Sequence, residues 1–408
     1  MNRNELIDDE KYSPRPTFHK KLFMKLLSQL NNGLVELREN GEIFQFGNNR
    51  SDIRAQITIL NPKAYKKIIW GGSIGAAEAY IEGLWSTENL TEVIQVFSRN
   101  LSSFEKHEKR YGFIINFWHR VHHLLNKNSK SNSRTNIAAH YDLSNDMYKL
   151  FLDPHMQYSS AIFSSKSSTL EEAQENKLKT ICESLSLNAT DHLLEVGTGW
   201  GGLACYAAKH YGCKVTTTTI SKAQYDIAAE RIKNENLEES INLLCEDYRD
   251  LSGEYSKIAS IEMIEAVGHK YIPEYFRKLE SLLVPGGQLL IQGITINDQR
   301  YDAYRNSVDF IQRYIFPGGH LPSVNYITEQ VKNNTSMYLT NVNDFRQDYA
   351  KTLDIWRERF LNQKNEIKSY GFNDDFIRLW EFYFCYCSGA FKEAVIGVGH
   401  FQWTKSKH

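Results

Sequence analysis

Apolar runs alternate with helical stretches over the second half of the chain. Strand-like runs occur in HLLEVG, KVTTTTIS, INLLCED, KIASIE and GQLLIQGITI, and a plausible helix separates each run from the next. Parallel strands need such crossovers, and helices then cover both faces of their sheet. The pattern predicts an α/β fold with a parallel sheet, to which IGVGHFQWTK would add a final antiparallel edge strand.

The first part of the chain shows a different pattern. It predicts a basic amphipathic helix in FHKKLFMKLLSQL and two strands in LVELREN and IRAQITILN, with the turn residues ENGE between them. The polar stretch NKNSKSNSRTN has no apolar period and is typical of a linker. We therefore expect a small α+β domain at residues 1–125, a linker at 126–136 and the α/β domain at 137–408.

Composition narrows the class of protein. The 408 residues carry 49 acidic and 48 basic side chains, and this balance argues against a general nucleic-acid binder. The start of the chain lacks the apolar core of a signal peptide, and no apolar run approaches membrane-spanning length. Six cysteines without metal-ligand spacing indicate reduced thiols. We expect a cytoplasmic protein without a metal site.

A glycine-rich loop follows the first predicted strand of the α/β domain. In HLLEVGTGWGG, glycines 197, 199 and 202 allow a ligand to approach the backbone, although a tight turn needs glycine in any case. Glu195, two residues before the first glycine, suits a ligand with an ammonium group. Dinucleotide folds carry an acidic residue about twenty positions further on, where VTTTTISKAQ has Thr219, Ser221 and Gln224. The loop therefore indicates S-adenosylmethionine rather than NAD.

Two glutamates interrupt the apolar stretch SKIASIEMIEAVGHKY. Glu262 and Glu265 follow a predicted strand, and open α/β sheets bind ligands at the carboxyl ends of their strands. Because unpaired buried carboxylates are costly, we expect both glutamates in an active-site cleft rather than in the core. His269 and His320 lie close to these motifs without partners at ligand spacing, and we expect them to form structural hydrogen bonds.

Several motifs together resemble one known family. They are AAHYDLSNDMYKLFLDPHMQYSSAIF, LLEVGTGWGG, TISKAQ, IEMIEAVGHKY, YIFPGGHLPS and DYAKTLDIWRERF, and they occur in the order found in that family. The chain resembles the cyclopropane-fatty-acyl-phospholipid synthases, a branch of the S-adenosylmethionine-dependent methyltransferases, strongly over residues 137–408 and more loosely before them. The resemblance implies a Rossmann-like class I methyltransferase domain and a smaller N-terminal α+β domain.

The resemblance also implies which residues surround S-adenosylmethionine. Tyr158 and Ser159 would touch its methionine end, and Tyr248 and Arg249 would lie beside its adenine. The other expected cofactor-binding residues follow the first two strands of the domain, namely Glu195, Gly197, Thr198, Gly199, Trp200, Gly201, Thr219, Ile220, Ser221 and Gln224.

The implied reaction is methyl transfer to a cis double bond of a phospholipid acyl chain. The resulting carbocation must lose a proton to close a cyclopropane ring, and in the family a bicarbonate ion accepts that proton. The matching positions are Glu265, Tyr349, Ser160 and Gln292, where serine replaces a cysteine and glutamine replaces the histidine of many bacterial members. Both side chains can still hydrogen-bond an oxyanion. If they hold bicarbonate poorly, Glu265 would act as the base and give a methylated alkene.

The lipid substrate implies further partners. Aromatic residues in 301–316 would form an apolar wall, and the basic N-terminal helices would dock the enzyme on the inner face of a membrane. The resemblance also implies a homodimer formed through the N-terminal domain. Two alternatives stay open, namely N-methylation of a small amine on the same fold and a lipid-binding protein that has lost catalysis.

Overall fold

A computed structural model describes residues 17–101 and 145–407 of the chain. Two sheets organise these residues, a four-stranded sheet in the first range and a seven-stranded sheet in the second. The expected linker at 126–136 lies outside the described residues, so the domain limits stay a prediction.

The N-terminal range folds around a mixed sheet with strand order β2-β1-β3-β4. Its elements are α1 (Phe18–Leu27), β1 (Leu34–Glu39), β2 (Glu42–Gly47), β3 (Arg54–Ile59), α2 (Lys63–Ile81), β4 (Trp85–Ser86) and α3 (Leu90–Arg99). The predicted turn ENGE joins β1 to β2 through Asn40 and Gly41, which both have positive φ. We did not predict β2, so the turn links a hairpin rather than the two expected strands, and β3 pairs parallel with β1.

Helix α2 has a kink at Gly72. The pattern WGGSIGAAEAY predicts a turn into a helix, whereas the structure has one helix with non-helical backbone at Gly72 (φ 55°, ψ −136°). The kink brings Gly75 so close to the Lys67 carbonyl that a Cβ there would lie 2.1 Å from its oxygen. Glycine is therefore required at both positions.

The seven-stranded sheet has the order β10-β11-β9-β8-β5-β6-β7. Its strands are β5 (His192–Val196), β6 (Lys214–Thr218), β7 (Ile241–Leu244), β8 (Tyr255–Ile261), β9 (Leu283–Ile296), β10 (Tyr338–Asp344) and β11 (Ile396–Thr404). Strands β5 to β9 are parallel, as predicted. The edge prediction for β11 is wrong, because β11 pairs antiparallel with both β9 and β10, and β10 forms the edge.

Helices connect and cover this sheet. They are α4 (Asn145–Lys149), α5 (Leu170–Ser184), α6 (Gly202–Tyr211), α7 (Lys222–Asn234), α8 (Ile264–Val267), α9 (Ile272–Leu282), α10 (Asp298–Tyr304), α11 (Phe310–Tyr314), α12 (Val324–Asn334), α13 (Arg346–Asn362), α14 (Lys364–Ser369) and α15 (Asp374–Lys392). Within the described ranges, none of the helices is long and apolar enough to cross a membrane.

Two features of the packing position the site. Strand order reverses direction at β5, which lies between β6 and β8, and ligands bind above such a reversal in open α/β sheets. Helix α15 packs against both α2 and α3 of the N-terminal range. Tyr80 on α2 donates a hydrogen bond to Glu381 at 3.1 Å and its ring contacts Phe382. The two ranges therefore share one buried apolar core.

Candidate active site

A cavity of about 1760 Å³ opens above the carboxyl ends of β5, β6, β7 and β8 and extends to α1 and α2. It is larger than the ~300–1,000 Å³ of ordinary small-molecule sites. The space therefore accommodates a second, long ligand beside a nucleotide-sized one.

The glycine loop forms part of the cavity wall. Gly197 and Gly199 line the cavity at φ values of 101° and 53°, and a Cβ on Gly199 would meet no described atom within 4 Å. Gly201 instead approaches α7, where its Cβ would lie 3.2 Å from that of Ala228, and a Cβ on Gly202 would lie 2.2 Å from Gln157 Nε2. Two glycines thus leave the backbone open to a ligand, and two permit close packing.

Glu195 is the penultimate residue of β5 and lies beside this loop. Its carboxylate is buried and accepts a hydrogen bond from the Thr217 hydroxyl at 2.6 Å, while a second hydroxyl, that of Thr198, lies 2.7 Å from Thr217. Burial raises the pKa of Glu195 to about 8. A buried carboxylate that lines a cavity is stabilised by a cationic ligand, so this position suits an ammonium group.

Lys177 on α5 is the buried cation behind this wall. Its Nζ donates hydrogen bonds to Gln157 Oε1 at 2.9 Å and to Ser159 Oγ at 2.7 Å. Burial lowers the pKa of its ammonium group to about 8. Three carboxylates oppose that shift, those of Asp153, Glu262 and Glu195. Lys177 therefore offsets the negative charge that the site concentrates.

The other expected cofactor residues fall into two groups. Most of them line the cavity, namely Tyr158, Ser159, Thr198, Trp200, Thr219, Ile220, Gln224, Tyr248 and Arg249. Ser221 caps α7 through its hydroxyl. Arg249 forms an ion pair with buried Asp247 at 2.6 Å, and its guanidinium lies 5.5 Å from the Tyr248 ring centre. A phenol ring and a guanidinium group thus line the cavity after β7.

Glu262 is the centre of the expected catalytic residues. It follows β8 directly, and its Oε1 accepts hydrogen bonds from the Ser160 backbone N–H and from Gln292 Nε2, both at 2.8 Å. Its Oε2 accepts one from the Tyr349 hydroxyl at 2.8 Å. The Ser160 hydroxyl turns away and donates to the Ala161 carbonyl. Three of the four predicted residues therefore converge on Glu262 rather than on Glu265.

Gln292 is oriented by a residue that we did not predict. Its Nε2 faces Glu262 and the Ser160 carbonyl, and its Oε1 lies 2.9 Å from His400 Nε2. This arrangement requires His400 to carry a hydrogen on Nε2, because both groups at the other end of the amide are acceptors. Burial lowers the pKa of His400 to about 4, so its ring is neutral. The amide N–H₂ is thereby aimed at Glu262.

Glu265 lies one helical turn further, on α8. Its Oε1 accepts a hydrogen bond from the Ile294 backbone N–H, and its buried Oε2 has no hydrogen-bond partner among the described residues. Burial and the charge of Glu262 raise the pKa of Glu265 to about 8. Burial also raises the pKa of Glu262, but its three donors oppose that rise, so Glu262 is the member of the pair that ionises first.

The two histidines belong to one hydrogen-bonded chain. Tyr301 lies between them, 2.9 Å from His269 Nδ1 and 3.0 Å from His320 Nε2. The His320 backbone N–H donates to the Glu265 carbonyl at 2.8 Å. Of the expected aromatic wall, Tyr304 and Phe316 line the cavity, while the others pack or hydrogen-bond behind it. His320 thus contacts the backbone of α8 at Glu265, and Tyr301 links His320 to His269.

Three functional residues were missed by reasoning from the sequence. Lys177 had a signal, because it falls at helical spacing on the apolar face of α5, between Ala173 and Ile181. His400 is a polar residue inside an apolar strand. Asp247 precedes the two residues that we expected beside the adenine, and only the fold reveals its ion pair.

The chain is similar to known proteins over most of its length. The family model for mycolic acid cyclopropane synthetase matches residues 128–401. Tuberculostearic acid methyltransferase of Mycobacterium tuberculosis is 36% identical over 82% of this chain and 78% of its own. Cyclopropane-fatty-acyl-phospholipid synthase of Escherichia coli is 36% identical over 83% of this chain and 85% of its own.

A solved structure shows the same architecture with a bound cofactor product. The mycolic acid cyclopropane synthase CmaA1, in complex with S-adenosylhomocysteine, is 30% identical, with a TM-score of 0.61 over 67% of this chain and 98% of its own. The predicted Rossmann-like class I methyltransferase fold is confirmed. With a family model over residues 128–401 and relatives at 36% identity, the chain belongs to the mycolic acid cyclopropane synthetase family of S-adenosylmethionine-dependent methyltransferases.

Proposed function

We propose that the protein transfers the methyl group of S-adenosylmethionine to the cis double bond of a phospholipid acyl chain and closes a cyclopropane ring. One observation carries the proposal. The glycine loop with Glu195 and the half-buried pair Glu262 and Glu265 line the same cavity, which continues between apolar side chains to α1 and α2. The Escherichia coli relative carries the name of this activity.

The residues present fit S-adenosylmethionine. Glu195 is suited to bind the ammonium group of its methionine part, and the backbone between Gly197 and Gly199 is open to close approach. The cofactor supplies an electrophilic methyl group. Lys177 holds Ser159 in the wall of the methionine end. Tyr248 and Arg249 line the part of the cavity that the resemblance assigns to the adenine.

The chain also supplies groups that stabilise the carbocation. When the electron pair of the double bond forms a bond to the methyl carbon, the other alkene carbon becomes positively charged. Tyr158, Phe316 and Tyr383 line the cavity. The ring centre of Phe316 lies 6.4 Å from that of Tyr158 and 6.2 Å from that of Tyr383. The π faces of such rings attract cations. The single negative charge on Glu262 and Glu265 favours the same carbon.

The residues present do not fit a bicarbonate ion. The donors that the resemblance assigns to it, on Ser160, Gln292 and Tyr349, already bind the Glu262 carboxylate. A second buried anion would meet this carboxylate without donors of its own, which is strongly unfavourable. The proposed reaction therefore has no step that uses bicarbonate.

The shape of the cavity supports a lipid rather than a small amine. Its far end is lined by apolar residues of α1 and α2, including Phe18, Leu22, Leu26 and Ile69. An amine substrate needs no such space, whereas an acyl chain leaving a bilayer must bury each methylene again, at ~0.8 kcal/mol apiece.

The same end of the cavity is suited to meet a membrane surface. Phe18 and Trp70 line it although they are 68% and 53% exposed. Exposed Lys21 and Lys25 lie one turn apart on α1. We propose that this surface, defined by Phe18, Trp70, Lys21 and Lys25, docks on anionic lipid at the inner face of the cytoplasmic membrane.

The proposal also includes a homodimer formed through the N-terminal domain. Light scattering, which measures the mass of the particle in solution, tests it.

Charge reversal on the docking surface is expected to weaken membrane binding. With Lys21→Glu and Lys25→Glu together, affinity for vesicles containing phosphatidylglycerol should fall at least about 30-fold, since each lysine near such a surface contributes ~1 kcal/mol and each glutamate adds repulsion. Vesicle flotation at low salt measures this. The matched control is Ile43→Ser, which changes a side chain that is 58% exposed and lies outside the cavity wall. Equal flotation of the double variant and the control would contradict the docking proposal.

The activity itself is tested by product analysis. The purified protein, S-adenosylmethionine and vesicles of cis-monounsaturated phospholipid are expected to give fatty acids that gain one methylene and lose the double bond. Mass spectrometry after double-bond derivatisation distinguishes the outcomes, with saturated phospholipid as the control. The same mass gain with a retained alkene would identify a methyl-branched product. No mass gain at all would contradict the proposal and favour an amine substrate or a non-catalytic role.

A further inference from the structure

Glu262 has the surroundings of a bound anion rather than of a core side chain. Its Oε1 accepts hydrogen bonds from the Ser160 N–H and from Gln292 Nε2, and its Oε2 accepts one from the Tyr349 hydroxyl. Glu262 also forms part of the cavity wall. Gln292 is itself oriented by neutral His400. An N–H₂ group, a backbone N–H and a phenol O–H are what a fixed oxyanion needs to remain ionised in a buried site.

The backbone at Glu262 supports a dedicated role. Its φ of 49° lies in the left-handed region, which costs a residue with a side chain ~1–2 kcal/mol and which glycine adopts without penalty. Such outliers persist where the surrounding structure holds them and are concentrated at functional sites. Here the holding contacts are the three hydrogen bonds to the carboxylate and the Glu262 N–H donating to the Gln292 carbonyl at 2.7 Å.

We propose that Glu262 itself accepts the proton that leaves the transferred methyl group, so that this protein needs no diffusible anion. The inference rests on the proposed function and deepens it. The C–H bond of the transferred methyl carbon breaks, its electron pair forms the third bond of the ring, and the proton goes to Glu262 Oε2. The protonated carboxyl then loses its proton to water after the product leaves.

The hydrogen bonds select the accepting atom. A carboxylate offers about four lone-pair positions. Oε1 accepts two hydrogen bonds, whereas Oε2 accepts a single one from the described residues, donated by Tyr349, and retains a position for a proton. The three donors lower the basicity of Glu262 and oppose the rise in its pKa that burial causes. A weak base suffices, because a carbocation is a far stronger acid than a carboxylic acid.

Glu265 complements this role. Its pKa, raised to about 8 by burial and by Glu262, keeps it protonated near neutral pH. A neutral carboxyl beside an anionic one avoids two like charges in one buried site. Glu262 is therefore the member of the pair that is ionised and able to accept a proton.

The decisive variant is Glu262→Gly. Glycine is compatible with the φ of 49°, so the fold is expected to be retained. The variant removes the carboxylate and frees the donors on Ser160, Gln292 and Tyr349. In buffer depleted of carbon dioxide, its rate of cyclopropane formation should fall about 10²–10⁴-fold, the usual contribution of a positioned base. Added bicarbonate should restore activity to Glu262→Gly and leave the wild-type rate unchanged.

Two controls separate the base from its surroundings. Glu262→Gln retains the shape without the charge, and it should lose activity that bicarbonate does not restore, because the amide still fills the site. Asn236→Gly relieves another positive φ, of 56°, at an exposed position and should behave as wild type. A readout independent of turnover is the binding of ¹³C-bicarbonate followed by NMR, which should occur in Glu262→Gly and not in wild type.

The outcomes distinguish this inference from the function on which it rests. A wild-type rate that depends on bicarbonate, or a Glu262→Gly variant as active as wild type without it, would overturn the inference while the cyclopropane activity stands. Absence of product from wild type under all conditions would overturn both. A bicarbonate-independent wild type together with rescue of the glycine variant supports the assignment.

Discussion

Replacing Glu195 with glutamine is expected to weaken S-adenosylhomocysteine binding by about 10–100-fold, because a lost hydrogen bond to a charged group costs ~1.5–3 kcal/mol. The carboxylate is buried in the cavity wall and accepts a hydrogen bond from Thr217 alone among the contacts described for its side chain. A neutral amide of the same shape keeps the packing and loses the attraction for the ammonium group. Isothermal titration calorimetry measures the effect.

The pH dependence of binding gives an independent check. The pKa of Glu195 is about 8 in the unliganded protein, so most molecules hold a proton there at pH 7. A bound ammonium group favours the ionised form, and binding near pH 7 should therefore release a proton and weaken as the pH falls below 8. Titrations in buffers of different ionisation enthalpy detect this release. Glu195→Gln should abolish it, and the exposed Glu183→Gln should not.

Equal affinity in wild type and Glu195→Gln would contradict the assignment of Glu195 to the ammonium group. Proton release that persists in the variant would assign the titration to another buried group, and Lys177 would then be the first to examine because it interacts with Glu195.

The second large effect is expected on stability. Lys177→Met should lower the free energy of unfolding by about 3–5 kcal/mol, the usual cost of removing one partner from a buried set of charges. Methionine fills similar volume, so a cavity contributes little. The loss arises because Gln157 Oε1 and Ser159 Oγ lose their donor and because nearby Asp153 and Glu262 lose their cation. Urea unfolding monitored by circular dichroism measures the change.

The same helix offers a matched control. Lys179 lies two residues further on α5, is exposed, and pairs with Glu183 at 3.7 Å. Lys179→Met should change the free energy of unfolding by less than ~0.5 kcal/mol, as exposed ion pairs contribute little. If both variants unfold at the same urea concentration as wild type, Lys177 does not offset the buried carboxylates.

The order of the main elements was accessible from the chain alone. Parallel strands covered on both faces are continuous apolar runs, and each run in HLLEVG to GQLLIQGITI became a strand of the sheet. The edge strand was not accessible in this way. Every residue of β10 is exposed, so YLTNVND has no alternation of buried and exposed positions that would predict a strand. We therefore predicted β11 as the edge strand instead.

The site was predicted in part. Glu195 and the glycine loop carry a local signal, since the loop must turn tightly between a strand and a helix, and both line the cavity. Ser160, Gln292 and Tyr349 were predicted as anion ligands through resemblance, and they do bind one oxyanion. That oxyanion belongs to Glu262 of the same chain, and Ser160 contributes its backbone N–H rather than its hydroxyl. The types of the side chains alone predict neither the identity of the oxyanion nor the donor atom of Ser160.

The sequence by itself determined the class of fold, the position of the cofactor loop and the set of polar residues near the reaction. These properties depend on the periods of apolar residues and on neighbours within a few positions. The tertiary structure decided which carboxylate is ionised, that Lys177 offsets it, and that His400 orients Gln292. These depend on burial and on distances between residues up to 108 positions apart, because the strength of an electrostatic interaction is set by separation and solvent exclusion.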